Sequence, residues 1–171
     1  MKRALTSCIA TLALAAVAHA GPENFHPGTA IEGFGNVASV ADAVEIPADS
    51  VFKVAFDISK PAEAGKANRA IESAARFINM HVEAGVPVEQ IQLAIVVHGG
   101  AYADLLTRDG NATAPLIAAL VEKGVSFQLC GQTAAYYDVT SADLLPGVEM
   151  ALSAMTAHAQ LQQAGYTLNP F

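Results

Sequence analysis

The sequence predicts a single α/β domain whose open, mainly parallel sheet carries helices on both faces. Two observations lead to this fold class. Segments rich in β-branched residues alternate along the chain with segments whose apolar residues recur every three or four positions. In addition, the run I-Q-L-A-I-V-V at 91–97 is almost continuously apolar, which is typical of a parallel strand covered by helices on both sides. The crossovers between such strands are right-handed, and their helices therefore lie over the sheet.

Local signals then predict the individual elements. Strands are expected at 51–57, 91–97, 125–130, 148–152 and 166–168. Helices are expected from Ser59 and Pro61 to Gly85, at 101–106, from Thr113 to Gly124, at 134–137 and at 155–163. The glycines at 85 and 124 are typical helix stops, and the segment T-S-A-D at 140–143 is typical of a small capping box.

The first twenty residues have the pattern of a cleaved secretory signal peptide. Lys2 and Arg3 form a positive start, residues 9–17 are uncharged and apolar, and A-H-A at 18–20 is a small-residue cleavage site. The apolar run is shorter than the ~20 residues that a membrane-spanning helix needs. We therefore expect cleavage after Ala20, a periplasmic or secreted protein, and no membrane span in the mature chain.

Residues 21–50 separate this leader from the predicted domain at 51–171. They are rich in glycine, proline and small side chains and show no sustained period. Spaced apolar residues such as Phe25, Ile31 and Phe34 predict an extended N-terminal arm that lies on the domain or on a neighbouring subunit. A disordered linker is the alternative.

Charge and cysteine content exclude several classes of function. Nine Lys and Arg against sixteen Asp and Glu give a net charge of −7, and loss of Lys2 and Arg3 with the leader takes it to −9. An acidic chain without a basic run is a poor candidate for nucleic-acid binding. Cys8 leaves with the leader and only Cys130 remains, so the mature chain has no internal disulfide. The sequence holds no metal-ligand cluster, and we expect no cofactor.

Cys130 is the main candidate catalytic residue. It ends a predicted strand and precedes a helix, which places it at the carboxyl edge of the sheet, where open α/β folds bind their ligands. Free N–H groups at the start of that helix carry partial positive charge, which favours the thiolate over the thiol. The alternative is a small buried side chain with a purely structural role.

His98, Gly99, Gly131, Gln132 and Thr133 are the candidate binding residues at the same edge. His98 closes the second strand, so it either stabilises a thiolate or an anion, or bonds to nearby turn backbone. Gly99 lets a ligand approach the backbone closely, although a plain turn explains it equally. Gln132 and Thr133, directly after Gly131, either donate to an anion held at the helix start or, in the case of Thr133, only cap the helix.

The remaining histidines and the paired tyrosines carry weaker signals. His81 lies on the apolar face of the long predicted helix and is expected to be a core or interface residue. His26 and His158 have no partner that the sequence identifies. One of Tyr136 and Tyr137 is expected to pack inward, while the other faces solvent or a subunit.

Several segments resemble the DsrE/DsrF-like sulfur-relay family. The run L-C-G-Q-T-A-A-Y-Y-D-V-T-S-A-D-L-L-P-G-V at 129–148 carries most of the resemblance, which also includes V-V-H-G-G at 96–100 and covers about residues 51–171. The lead-in I-E-G-F-G at 31–35 is similar to that of exported members of the family. Many members of this subtype have Asn where this chain has Gln132.

The resemblance implies a compact α/β domain that assembles as a homo-oligomer, a trimer or a hexamer. It also implies relay of sulfane sulfur as a persulfide on the cysteine at the matching position, Cys130. We therefore expect a sulfurtransferase or sulfur carrier whose partner is a sulfur donor or acceptor protein or a small sulfur compound. The alternative is a non-catalytic periplasmic binding or assembly module in which Cys130 is structural. Binding of a nucleotide or phosphate at the sheet edge rests on analogy of fold alone.

Overall fold

Five parallel strands form one open sheet with helices on both faces, which confirms the predicted fold class. The computed structural model describes residues 21–169, so the predicted signal peptide at 1–20 lies outside the described residues. The strands are β1 (Phe52–Ile58), β2 (Ile91–Val97), β3 (Ser126–Cys130), β4 (Val148–Ala151) and β5 (Thr167–Asn169). The helices are α1 (Arg69–Glu83), α2 (Ala114–Glu122), α3 (Gly131–Tyr136) and α4 (Ala154–Gln163). The strand order is β4-β3-β2-β1-β5, and each neighbouring pair is parallel.

The first long helix begins later than the sequence predicted. The expectation that Ser59 and Pro61 start it is wrong, because α1 begins at Arg69 with Asn68 as its N-cap. The Asn68 side chain accepts hydrogen bonds from the N–H groups of the second and third helical residues, at 2.9 and 3.3 Å. Gly65 lies between the expected and the observed start with φ of 72°, a backbone conformation that a right-handed helix cannot contain.

The other predicted elements are present with small shifts at their ends. A 3-10 segment at Gly99–Leu105 occupies the position of the short helix predicted at 101–106, and Thr140 and Asp143 form the predicted capping box. Gly124 has φ of 81° just beyond α2, consistent with its role as a helix stop. Within residues 21–169 there is no helix with the length and apolar character that crossing a membrane requires.

The two faces of the sheet are covered unequally. α1 and α2 pack over one face and, with the strands, enclose the larger core, in which Phe56, Leu93 and Phe127 are fully buried. α4 packs over the other face, where the buried cluster is smaller and consists mostly of small side chains. That cluster comprises Ala55, Ala94, Val96, Ala157 and Leu161. The first face therefore contributes most of the apolar burial that stabilises the domain.

The N-terminal arm lies against α1 and is held there by the side chain of Asn79, which is 1% exposed. The Asn79 amide oxygen accepts hydrogen bonds from the backbone N–H groups of Ala30 (3.1 Å) and Ile31 (2.8 Å). Its nitrogen donates to the carbonyl oxygens of Ile31, Phe34 and Gly35 at 2.9–3.2 Å. Ile31 itself enters the larger core. One buried amide thus provides hydrogen-bond partners for the backbone of residues 30–35, which belong to neither a helix nor a strand.

Candidate functional site

Cys130 is both the last residue of β3 and the N-cap of α3. The helix begins at Gly131, three residues before the predicted start at 134, so its first N–H groups follow the thiol directly. Cys130 is 6% exposed. The structure therefore places its thiol, largely buried, at the carboxyl edge of the sheet.

Hydrogen-bond donors around the sulfur hold the pKa of the Cys130 thiol below its ordinary value. Burial acts in the opposite direction and raises this pKa, because a buried thiolate loses contact with water. The lowering comes from the backbone N–H groups of Thr133, Ala154 and Gln132 and from the Thr133 hydroxyl. Together these donors outweigh the cost of burial, so Cys130 ionises more readily than an ordinary cysteine to the thiolate, which is the nucleophilic form.

The Thr133 hydroxyl is oriented by a second hydrogen bond. The backbone N–H of Gly99 donates to Thr133 Oγ1 at 3.2 Å, so the hydroxyl proton remains available for the sulfur. Gly99 has φ of 54°, a left-handed backbone that favours glycine. These two residues thereby join the ends of β2 and β3 beside the thiol.

Gly131 and Gln132 attach the start of α3 to the end of β4. A Cβ atom at Gly131 would lie 2.5 Å from the carbonyl oxygen of Ala151, so this close approach requires glycine. The side-chain amide of Gln132 donates to the carbonyl oxygen of Leu152 at 3.3 Å. Both contacts fix the position of Cys130, which lies one residue before Gly131.

A cavity of about 510 Å³ opens at Cys130, between the strand ends and α4. Asp57, His98 and His158 contribute polar side chains to it, while Met155 and other residues contribute apolar surface. A larger cavity, of about 690 Å³, lies at the start of α1, and its described lining contains neither cysteine nor histidine. The candidate chemistry therefore lies at the smaller cavity, where a nucleophile and titratable groups meet.

Two histidines share one carboxylate in the cavity at Cys130. His158 Nε2 lies 2.8 Å from Asp57 Oδ1, while His98 Nε2 lies 3.2 Å from the same oxygen and forms its hydrogen bond with Oδ2 at 3.3 Å. His98, for which turn backbone was one expected partner, therefore binds a carboxylate. Sequence reasoning missed Asp57 and His158. The signal available for Asp57 was the alternation of side chains between the two faces of β1. Asp57 comes two residues after the buried Ala55 and therefore lies on the same face, towards α4.

The other histidines and tyrosines singled out in the sequence lie away from this cavity. His81 is a core residue, as expected, with Nδ1 at 2.7 Å from the carbonyl oxygen of Phe77 and its ring stacked on the Phe77 ring. Tyr137 stacks on Tyr102 with ring centroids 4.1 Å apart, whereas Tyr136 is 81% exposed. In the part of the chain that the structure describes, no three His, Cys, Asp or Glu side chains are arranged to hold a metal ion.

Comparisons with known proteins agree on the fold. Residues 53–170 match the DsrE/DsrF-like family, and no curated protein gives a significant match. A solved structure of a protein of unknown function from Methanobacterium thermoautotrophicum is similar, with 21% identity over 69% of this chain and 97% of that chain and a TM-score of 0.56. The ychN protein from E. coli is also similar, with 15% identity over 68% of this chain and 97% of that chain and a TM-score of 0.51. At these identities the two structures show the fold alone. Because the family match spans more than half of the chain, the protein belongs to the DsrE/DsrF-like family, which suggests a role of the sulfur-relay type.

Proposed function

We propose that the protein accepts sulfane sulfur on Cys130 as a persulfide and passes it to an acceptor. The observation that carries this proposal is a thiol with a lowered pKa at the wall of an open cavity. A thiolate is the form of cysteine that attacks another sulfur atom. Membership of the DsrE/DsrF-like family supports the same class of role.

The surroundings of Cys130 suit a persulfide as well as a thiolate. The backbone N–H groups of Thr133 and Ala154 approach the Cys130 sulfur, which becomes the inner sulfur of the persulfide. The outer sulfur extends into the cavity of about 510 Å³. Met155 and Leu168 line that cavity with apolar surface, which suits a weakly hydrated sulfur atom.

Intact-mass measurement of the purified protein tests this function. After incubation with glutathione persulfide, we expect the protein to gain the mass of one sulfur atom, located by peptide mapping at Cys130. The control is Cys130→Ser, which keeps the size of the side chain. It should fold and gain no sulfur. A wild-type protein that gains no sulfur at Cys130 overturns the proposal and leaves the alternative, a binding or assembly module in which Cys130 is structural.

We also propose that the protein is exported to the periplasm or secreted. Support comes from the charged start, apolar run and A-H-A cleavage pattern of residues 1–20. N-terminal sequencing of protein from the periplasm should give Gly21 as the first residue. Recovery of chains that still begin at Met1 from the cytoplasmic fraction would contradict export.

A homo-oligomer, as a trimer or a pair of trimers, is the assembly we propose. Support comes from large apolar side chains that are exposed on the single chain, namely Tyr136 (81% exposed), Leu152 (73%) and Met155 (79%). Apolar surface that remains exposed on a single chain is characteristic of interfaces. Light scattering at micromolar concentration should give the mass of a trimer or a hexamer, and a monomer there would contradict the proposal.

A further inference from the structure

Asp57, His98 and His158 form a cluster of titratable side chains that the persulfide step described above does not use. They come from three elements: Asp57 from β1, His98 from the residue after β2, and His158 from α4. The Asp57 Oδ1 atom lies within 2.8 Å of His158 Nε2 and 3.2 Å of His98 Nε2. With Cys130, these three side chains are the titratable groups that line the cavity.

The shared carboxylate determines which ring nitrogen of each histidine carries hydrogen. A carboxylate has only acceptor atoms, so the Nε2 atom that bonds to it is the donor. In a neutral imidazole the lone pair then lies on Nδ1. Among residues 21–169, His158 Nδ1 is buried and has no hydrogen-bond partner. The His98 side chain is 34% exposed, against 16% for His158, so His98 is the more accessible of the two imidazoles that line the cavity.

Strand register places His98 beside Cys130. Val97 of β2 is paired with Leu129 of β3, so the next residue of each strand, His98 and Cys130, occupies an adjacent position in the sheet. The hydrogen bond from the Gly99 N–H to Thr133 holds the chain segments after these residues together. The cavity is therefore lined, at neighbouring strand ends, by a nucleophilic sulfur and an imidazole whose tautomer is fixed by Asp57.

We propose that His98 carries the proton during sulfur transfer to Cys130, with Asp57 and His158 as positioning residues. This inference rests on the function proposed above. His98 Nδ1 takes the proton of the Cys130 thiol, and the sulfur bonds to the outer sulfur of a persulfide donor, R–S–SH. The bond between the two donor sulfurs breaks, and its electron pair goes to the inner sulfur. His98 then returns the proton to that sulfur, giving R–SH and Cys130–S–SH, and no external oxidant or reductant is consumed.

The test compares donors whose leaving thiols differ in acidity. The leaving group of glutathione persulfide is a basic alkyl thiolate. With this donor, His98→Gln should accept sulfur at least ~100-fold more slowly than the wild type, which is the usual effect of losing a general acid–base group. With an aromatic persulfide, whose leaving thiolate needs no proton, His98→Gln loses only the removal of the Cys130 proton, so the loss in rate should be smaller than with glutathione persulfide. Asp57→Asn should show the same selective loss, because an amide no longer fixes the tautomer of His98. The matched control is His26→Gln. His26 lies on the arm, where it binds Glu83 of α1, and this variant should accept sulfur from both donors at the wild-type rate.

Two results overturn the inference while leaving the proposed function intact. In both, the wild type gains sulfur at Cys130. Either His98→Gln transfers sulfur from glutathione persulfide as fast as the wild type, or it slows both donors by the same factor. A second readout is the pH dependence of the rate with glutathione persulfide, in which His98→Gln should lose one limb of a bell-shaped profile. If the wild-type protein gains no sulfur from either donor, the proposed function itself is contradicted.

Discussion

The two faces of the sheet differ in both composition and role. On the face covered by α1 and α2, the strands contribute large, fully buried side chains such as Phe56, Leu93 and Phe127. On the face covered by α4, the central strands contribute Ala55 and Ala94 instead. The first face is closed by apolar packing, whereas the strand ends of the second face carry the side chains of the candidate site. The larger core and the candidate site therefore lie on opposite sides of one sheet.

Small side chains and a single covering helix explain why the cavity opens on the α4 face. Alanines at the sheet let α4 lie close to β2 and β3 with little apolar volume between them. One helix covers only part of a five-stranded sheet, and the carboxyl ends of β1, β2 and β3 remain open next to its first turn. The polar groups there, Asp57, His98 and Cys130, line the cavity. On the other face two helices and the arm cover the strands.

The same substitution on a helix of each face should give the largest effect and test the asymmetry. Leu120 in α2 is fully buried in the larger core, and Leu161 in α4 is 9% exposed in the smaller one. We expect Leu120→Ala to lower the free energy of unfolding by about 3–5 kcal/mol and Leu161→Ala by about 2 kcal/mol. Chemical denaturation measures both. Equal losses would mean that the two faces contribute equally to the stability of the domain and would contradict the asymmetry.

Removal of the arm's anchor should give an intermediate effect confined to the α1 side. Asn79→Ala leaves the backbone groups of Ala30, Ile31 and Phe34 without their buried partner, so we expect a loss of about 1–3 kcal/mol in unfolding free energy and faster proteolysis within the arm. The matched control is Asn36→Ala, at an exposed position. Alkylation of Cys130 should keep its wild-type rate, and a slowed thiol would show that the two faces are coupled.

The smallest effect should be a pH dependence of stability that originates on the α4 face. The folded protein holds the pKa of Cys130 below its ordinary value of 9.0, so the unfolded chain binds the thiol proton more tightly. The unfolding free energy of the wild type relative to Cys130→Ser should therefore rise with pH from the lowered pKa up to about 9.0, and the gain should disappear as the pH falls through the lowered pKa. Each unit between the folded and unfolded pKa corresponds to about 1.4 kcal/mol. Denaturation curves at several pH values that show a constant difference would contradict the lowered pKa.

Local patterns in the sequence predicted most of the fold and part of the site. Strand and helix signals act over a few residues, so β2, α2 and the junction at Cys130 could be located without knowledge of the rest of the chain. The start of α1 was misplaced because Ser59 and Pro61 give a helix signal as strong as that of Asn68. The positive φ of Gly65 and the hydrogen-bond partners of Asn68 in the folded protein are what distinguish these two possible helix starts.

Patterns of neighbouring residues suffice to predict the α/β class, the order of the elements and the position of Cys130 between a strand and a helix. Folding of the whole domain is needed to bring His158 to Asp57, 101 residues away, and the arm to Asn79, nearly 50 residues away. These contacts depend on which strands pair, in which register, and how each helix lies on the sheet. Such choices are made by the packing of the whole domain, since the free energy of a contact between distant side chains is gained only after the elements that carry them have come together.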